Sequence, residues 1–272
     1  MRFSLLSQVF LCLRPALSVA LILSIVALAS PAKGQSSCYE VDGPDPGAAF
    51  DVANIPVIFA GSNDVAGPYQ IGFTFNFFGV DYTEFYVSSN GFITFSANQP
   101  NGCCAGQLLP DPAFPNNLIA GIWENLDPLI LGGQVRYATI LGADSLYRTV
   151  VEFDNVRHSH GGGTGSIDSS VTFQIKIFEG SNAIEIHSEL ISPDIDFNLG
   201  ATQGIENANG TVGYAAPGRN RTNFRAEDEV VTFTPTVNTP PTISNCPTDF
   251  TVNSDPETVS YTHLRAHETR RY

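Results

Sequence analysis

Between Ile71 and Phe95 the chain reads IGFTFNFFGVDYTEFYVSSNGFITF. Phe73, Phe75 and Phe77 alternate with Thr74 and Asn76, the period of a strand with one buried face. Gly79-Val80-Asp81 interrupts the run, and Phe85 and Val87 then alternate with Glu84, Tyr86 and Ser88. Asn90-Gly91 predicts a hairpin turn in which both residues take positive φ. Phe92 to Phe95 returns as a third strand. Three strands with this much aromatic surface need a second apolar layer.

The rest of the middle of the chain supplies that layer. Gln134–Ile140 and Tyr147–Phe153 read as a hairpin around Gly142-Ala143-Asp144. Val171, Phe173, Ile175 and Ile177 alternate with Thr172, Gln174 and Lys176, and after the turn Glu179–Asn182, Ile184 and Ile186 alternate with Glu185 and His187. Ala201–Glu206 and Thr211–Ala215 flank Asn209-Gly210, and Val230–Thr234 reads as the last strand. Val57–Ala60 reads as a short edge strand. Asn117–Trp123 is an apolar segment ending in the only tryptophan and closed by Glu124-Asn125-Leu126-Asp127-Pro128. Ser36–Pro46, Ala97–Pro115 and the Gly/Ser/His-rich Arg157–Asp168 are expected to be loops, the last of them mobile. These elements predict an all-β fold, an antiparallel β-sandwich of roughly ten strands. The nine residues Phe73, Phe75, Phe77, Val171, Phe173, Ile175, Ile177, Ile184 and Ile186 are expected to share one core.

Composition agrees and narrows the partners. The 272 residues include 24 Gly, 18 Pro and 11% aromatics, with only 15% charged residues, as expected of a loop-rich β protein. The formal net charge is −14. The first 34 residues hold three basic residues (Arg2, Arg14, Lys33) and no acid, and the last 14 hold three arginines and Glu268. The middle therefore keeps 7 of the 13 basic and 26 of the 27 acidic residues, net −19. Such a surface repels phosphate backbones and argues against nucleic-acid binding.

The two ends read as something other than domain. Met1 to Gly34 has basic residues, an apolar run from Ala16 to Ala29 and the small-residue site Ala32-Lys33-Gly34. It reads as a secretory signal helix cleaved before Gln35. The run falls short of the ~20 residues a membrane span needs, so no span is expected in the mature chain. Thr236–Pro241 is a Pro/Thr linker. Val259–Thr269, VSYTHLRAHET, resembles a translated sequencing adapter. The expected division is a signal peptide over 1–34, a β-domain over 35–236, a linker and the start of a further module over 237–258, and an adapter-derived artefact over 259–272.

The candidate chemistry is sparse. An exported chain meets an oxidising setting, where disulfides form. The bridge expected joins Cys38 to Cys103 or Cys104, pinning the N-terminus to the long loop, and a vicinal Cys103–Cys104 bond is the alternative. No CxxC spacing points to zinc. His158 and His160 are two imidazoles in a Gly-rich loop, too few for a metal site and read as solvated. Glu124 and Asp127, with Asp144 or Asp154, are candidate oxygen ligands for calcium but lack EF-hand spacing, and read as a solvated acidic rim. Asp194 and Asp196 are a carboxylate pair whose separation across a cleft is not legible in sequence. Asn209-Gly-Thr211 and Asn220-Arg-Thr222 are glycan acceptor sequons. No GxSxG, HExxH, P-loop or dinucleotide-binding glycine pattern occurs, so no catalytic residue and no cofactor are assigned.

Two resemblances follow from longer motifs. VSSNGFITF (Val87–Phe95), IAGIWENLDP (Ile119–Pro128), RTVVEFDNV (Arg148–Val156), VTFQIKIFEGSNAIEIH (Val171–His187) and TQGIENANG (Thr202–Gly210) stand in an order that resembles the nidogen-type extracellular domain and its bacterial secreted relatives. PPTISNCPTDFTVNSDP (Pro240–Pro256) resembles the opening of a hyalin repeat, an immunoglobulin-like adhesive module, cut short after Cys246. Together they imply a secreted or cell-surface protein and a non-catalytic adhesion or display module, with an extracellular protein or glycan as ligand. The alternatives are a carbohydrate-binding accessory module of a secreted hydrolase and, in third place, an enzyme.

Overall fold

The computed structural model describes residues 38–130, 132–159, 169–193 and 200–236. Fourteen strands run through them: β1 (Cys38–Pro46), β2 (Ile55–Pro56), β3 (Val65–Phe77), β4 (Val80–Ser88), β5 (Phe92–Thr94), β6 (Leu118–Trp123), β7 (Leu126–Asp127), β8 (Gln134–Leu141), β9 (Tyr147–His158), β10 (Ser170–Phe178), β11 (Ile184–Ile191), β12 (Ala201–Glu206), β13 (Gly213–Thr222) and β14 (Ala226–Thr236). One antiparallel sheet has the order β1-β14-β11-β10-β9-β8-β2, with β7 beside β9. The other has the order β13-β12-β6-β5-β4-β3. The fold is an antiparallel β-sandwich built on two meanders, β3 to β6 and β8 to β11. The expected signal helix, His160, Asp194, Asp196, Cys246 and everything after Thr236 lie outside the described residues.

All nine residues expected to share a core do so. Phe173 and Phe153 are register partners on β10 and β9, and their rings stack 4.7 Å apart at 10°. The opposing sheet meets them with backbone, because a Cβ on Gly121 of β6 would lie 2.0 Å from the Phe173 ring. A glycine is required there by close approach of ring to strand.

Each sheet is also covered on its outer face, which the alternation did not reveal. Every residue of β6 and of β12 is buried. Ile119 and Ile122 face the main core, whereas Leu118, Ala120 and Trp123 join Phe92 and Leu109 in a second, smaller cluster. Leu109 belongs to the 97–115 segment, which lies over this face instead of projecting as a loop. Trp123 Nε1 donates to Gly102 O at 2.8 Å, Thr202 Oγ1 to Gln107 O at 2.6 Å, and Asn220 Nδ2 to Leu109 O at 2.9 Å. On the other sheet, residues 47–54 cross β14, β11, β10 and β9 in turn. Ala48 N donates to Asp228 Oδ1, Ala49 N to His187 Nδ1 and Asp51 N to Gln174 Oε1, while Asp51 pairs with Arg148 and with Lys176. This strap explains why Gln174, Lys176 and His187, polar positions of clean strands, are buried. The Arg148 guanidinium first, then Lys176, hold the Asp51 carboxyl down to about 2 against the opposing effect of burial.

Several expected elements are corrected. Residues 38–46 form a strand, not a loop, paired with β14 through a bulge between Asp42 and Asp45. An edge strand tolerates the prolines and glycines that suggested a loop. The short edge strand is Ile55–Pro56, displaced toward the N-terminus from Val57–Ala60. At Asn90-Gly91 only Gly91 has positive φ. The sheet edge at β3 is blunted from across the sandwich. Thr139 and Thr149 donate to Ile71 O, and Asn76 N donates to Asn182 Oδ1, which removes edge groups from pairing with another chain.

Candidate functional site

The turn between β4 and β5 is the polar centre of one end of the sandwich. Ser88, Ser89 and Asn90 are fully buried. Asn90 Nδ2 donates to Asn63 Oδ1 at 3.1 Å and to Asn101 O at 3.0 Å, and Asn90 Oδ1 accepts from Leu126 N at 3.1 Å. Ser88 Oγ donates to Asn101 O at 2.7 Å, and Asn101 Nδ2 donates to Asn63 O at 3.0 Å. One buried asparagine thus ties together three chain segments that are remote in sequence.

A cleft of about 390 Å³ opens above this centre, lined among others by Asn63, Asp64, Tyr86, Asn98, Gln99 and Asn101. Its one carboxylate is committed: Asp64 Oδ2 accepts from Ala60 N at 2.6 Å and Oδ1 from Val65 N at 2.8 Å. A second cleft, about 580 Å³, lies at the β2–β8 edge between Pro56, Ile58, Leu129, Val135 and Arg136. Ile58 is 72% and Leu129 56% exposed, and Arg136 is held by Glu152 and Asp154.

The residues singled out in the sequence are scattered. Cys103 and Cys104 are neighbours in the segment over Trp123, with Cα atoms 3.0 Å apart. Cys38 begins β1 opposite Thr236 and beside the Tyr214 hydroxyl. His158 is not in a solvated loop: it ends β9, paired with Leu126 of β7, and is fully buried. Its Nε2 lies 2.8 Å from Ser192 O, and its Nδ1 lies 3.3 Å from Glu124 Oε2. Glu124 and Asp127 are accordingly buried and not a solvated rim. Asp127 Oδ1 accepts from Leu129 N, Asp154 pairs with Arg136, and Asp144 sits exposed in the β8–β9 turn. The four carboxylates are not gathered into one site, and among the described residues no group of three or more His, Cys, Asp or Glu could hold a metal ion. Of the sequons, Asn220 has its amide clamped onto the backbone of Leu109, while Asn209 is exposed.

Glu206 was missed. It ends β12, fully buried, and its Oε1 accepts from Asp111 N at 2.6 Å. Burial pushes its carboxyl up to about 7, against the bond from Asp111 N and with a small addition from the Asp111 charge. A carboxyl whose folded-state value lies above its unfolded one stabilises the fold at low pH, and that stability is lost as pH rises through the folded value. Stability should therefore fall between about pH 4.5 and pH 7 by an amount on the order of 1–3 kcal/mol from this group. Glu206→Gln should flatten that slope in urea melts taken across the range. An unchanged slope would show that Glu206 is ionised in the fold. The signal available in the sequence was slight, one acid in the otherwise uncharged TQGIENANG.

Among the described residues no helix is long and apolar enough to cross a membrane. Neither a curated protein nor a solved structure matches the chain. The family model described as NIDO related matches residues 49–252, from the strap across both sheets and on past the end of β14. The chain belongs to the NIDO-related family.

Proposed function

We propose that the domain is a non-catalytic extracellular module of a larger secreted or cell-surface protein, acting in adhesion or display. The observation that carries this reading is where the charged groups are spent. Asp51, Arg148 and Lys176 hold the strap, Arg219 pairs with Glu229 and donates to Gln203, Glu206 holds the 97–115 segment, and Glu124 lies against His158. The charged residues lining the two clefts, Asp64 and Arg136, are likewise tied into the framework. What the clefts offer outward is amide, phenol and aliphatic surface, the chemistry of recognition. The NIDO-related match supports an extracellular module.

The reading includes two further parts. The mature cysteines pair as Cys103–Cys104, and peptide mapping without reductant should find Cys38 outside that bond. A peptide linking Cys38 to either would overturn the pairing. Residues 237–258 are a linker and the start of a second adhesive module, which adds avidity when modules act in tandem. The uninterrupted genomic reading frame beyond Thr258 tests that and the adapter-like origin of 259–272.

The function is tested by a paired assay on the purified chain. Turnover of polysaccharide, ester and peptide substrates is measured beside binding to isolated cell-envelope and matrix preparations. Saturable binding without turnover is expected. Turnover that disappears in Asp127→Asn would make the protein an enzyme.

A further inference from the structure

We infer that the cleft lined by Asn63, Tyr86, Asn98, Gln99 and Asn101 is a binding site for a neutral oligosaccharide. The inference rests on the reading of the domain as a non-catalytic module and names the ligand class of that module. Three features converge on it.

The first is the donor and acceptor set. Carboxamides present both a donor pair and an acceptor, which matches adjacent sugar hydroxyls that also do both. Four carboxamides line this cleft; Asn63 Oδ1, Gln99 Oε1 and both ends of Asn101 are bonded within the protein, which leaves a ligand the whole Asn98 amide and the N–H donors of Asn63 and Gln99. Asn98 is exposed and its amide is committed to no described residue, while Tyr86 is half-buried and lines the same cleft. An aromatic face suits the C–H face of a pyranose, with the phenol as a polar handle.

The second is charge. No cationic side chain lines the cleft, its carboxylate accepts two backbone N–H bonds, and the chain carries net −14. Phosphate, sulfate and uronate ligands are disfavoured there, and a neutral one is not.

The third is rigidity. The walls are fastened from below by the buried Ser88 and Asn90, and Ser89 and Asp64 exchange two bonds, Asp64 N to Ser89 Oγ and Ser89 N to Asp64 O, each 3.0 Å. A ligand then binds without ordering the site. The volume, about 390 Å³, is in the range of small-ligand sites.

The test is titration calorimetry of the full chain with cellohexaose, mannohexaose, xylohexaose and chitohexaose, with an oligogalacturonate as anionic comparator. Tyr86→Ala and Asn98→Gly are compared, the second chosen because Asn98 has φ 60° and glycine keeps that conformation. At least one neutral hexasaccharide should bind saturably and better than the oligogalacturonate. Tyr86→Ala should weaken it about tenfold and Asn98→Gly roughly three- to tenfold, with thermal melts and circular dichroism unchanged. Absence of saturable binding, or binding indifferent to both substitutions, overturns the inference. If the chain then still binds envelope or matrix preparations, the module reading survives and the cleft alone is misassigned. Cleavage of a hexasaccharide would instead overturn the module reading itself.

Discussion

Phe173→Ala should lower stability by about 3–5 kcal/mol in a denaturant melt. Phe173 is fully buried at the centre of the sandwich, stacked on Phe153 and resting on the backbone of Gly121. Truncation removes the contact that the Phe173 ring makes with the backbone of the opposing sheet at Gly121, and the strand backbones on either side cannot collapse into the space. The same contact makes a reciprocal prediction. Gly121→Ala places a methyl within the ring and should by itself cost about 1–3 kcal/mol or more. In the Phe173→Ala background that clash is absent, so the double variant should lose less than the two single losses combined, with a coupling of roughly 1–2 kcal/mol. Additive losses would mean that β6 and β10 do not meet at this point.

Asn90→Ala should cost about 2–4 kcal/mol, because the buried Leu126 N loses its acceptor and Asn101 O and Asn63 Oδ1 lose a donor. Asn90→Asp should rescue little. It keeps an acceptor for Leu126 N but turns a carboxylate oxygen toward two acceptors, where the amide had donated. The midpoint should shift at an unchanged denaturant slope, the mark of altered stability and not of altered compactness. A loss of a few tenths would show that the three segments hold together without the amide, and the rigidity argued for the cleft would go with it.

The corrections share a cause. The sequence neighbours of His158, Arg157 and the glycines that follow, predict a place in solvent. Its burial comes from pairing with Leu126, more than thirty positions earlier. The 97–115 segment has loop composition and no regular strand, yet it closes a second core, because Leu109 and the carbonyls of Gly102 and Gln107 find partners on β6, β12 and β13. Lys176 reads as a solvent-facing residue of an alternating strand until the strap crosses above it.

What the sequence determined by itself was the sandwich. Period-two alternation is local, and burial of one strand face is all that is needed to place Phe73, Phe75, Phe77, Phe173 and Ile175 in a common core. Turn chemistry added most hairpins in the same way. What only the tertiary structure decided was the covering of the outer faces and hence the candidate site. Asn90, Glu206 and Asp51 act through segments brought to them from about 25 to 100 residues away. A polar side chain looks the same in the sequence whether it meets water or a crossing backbone, and only the path of the chain tells them apart.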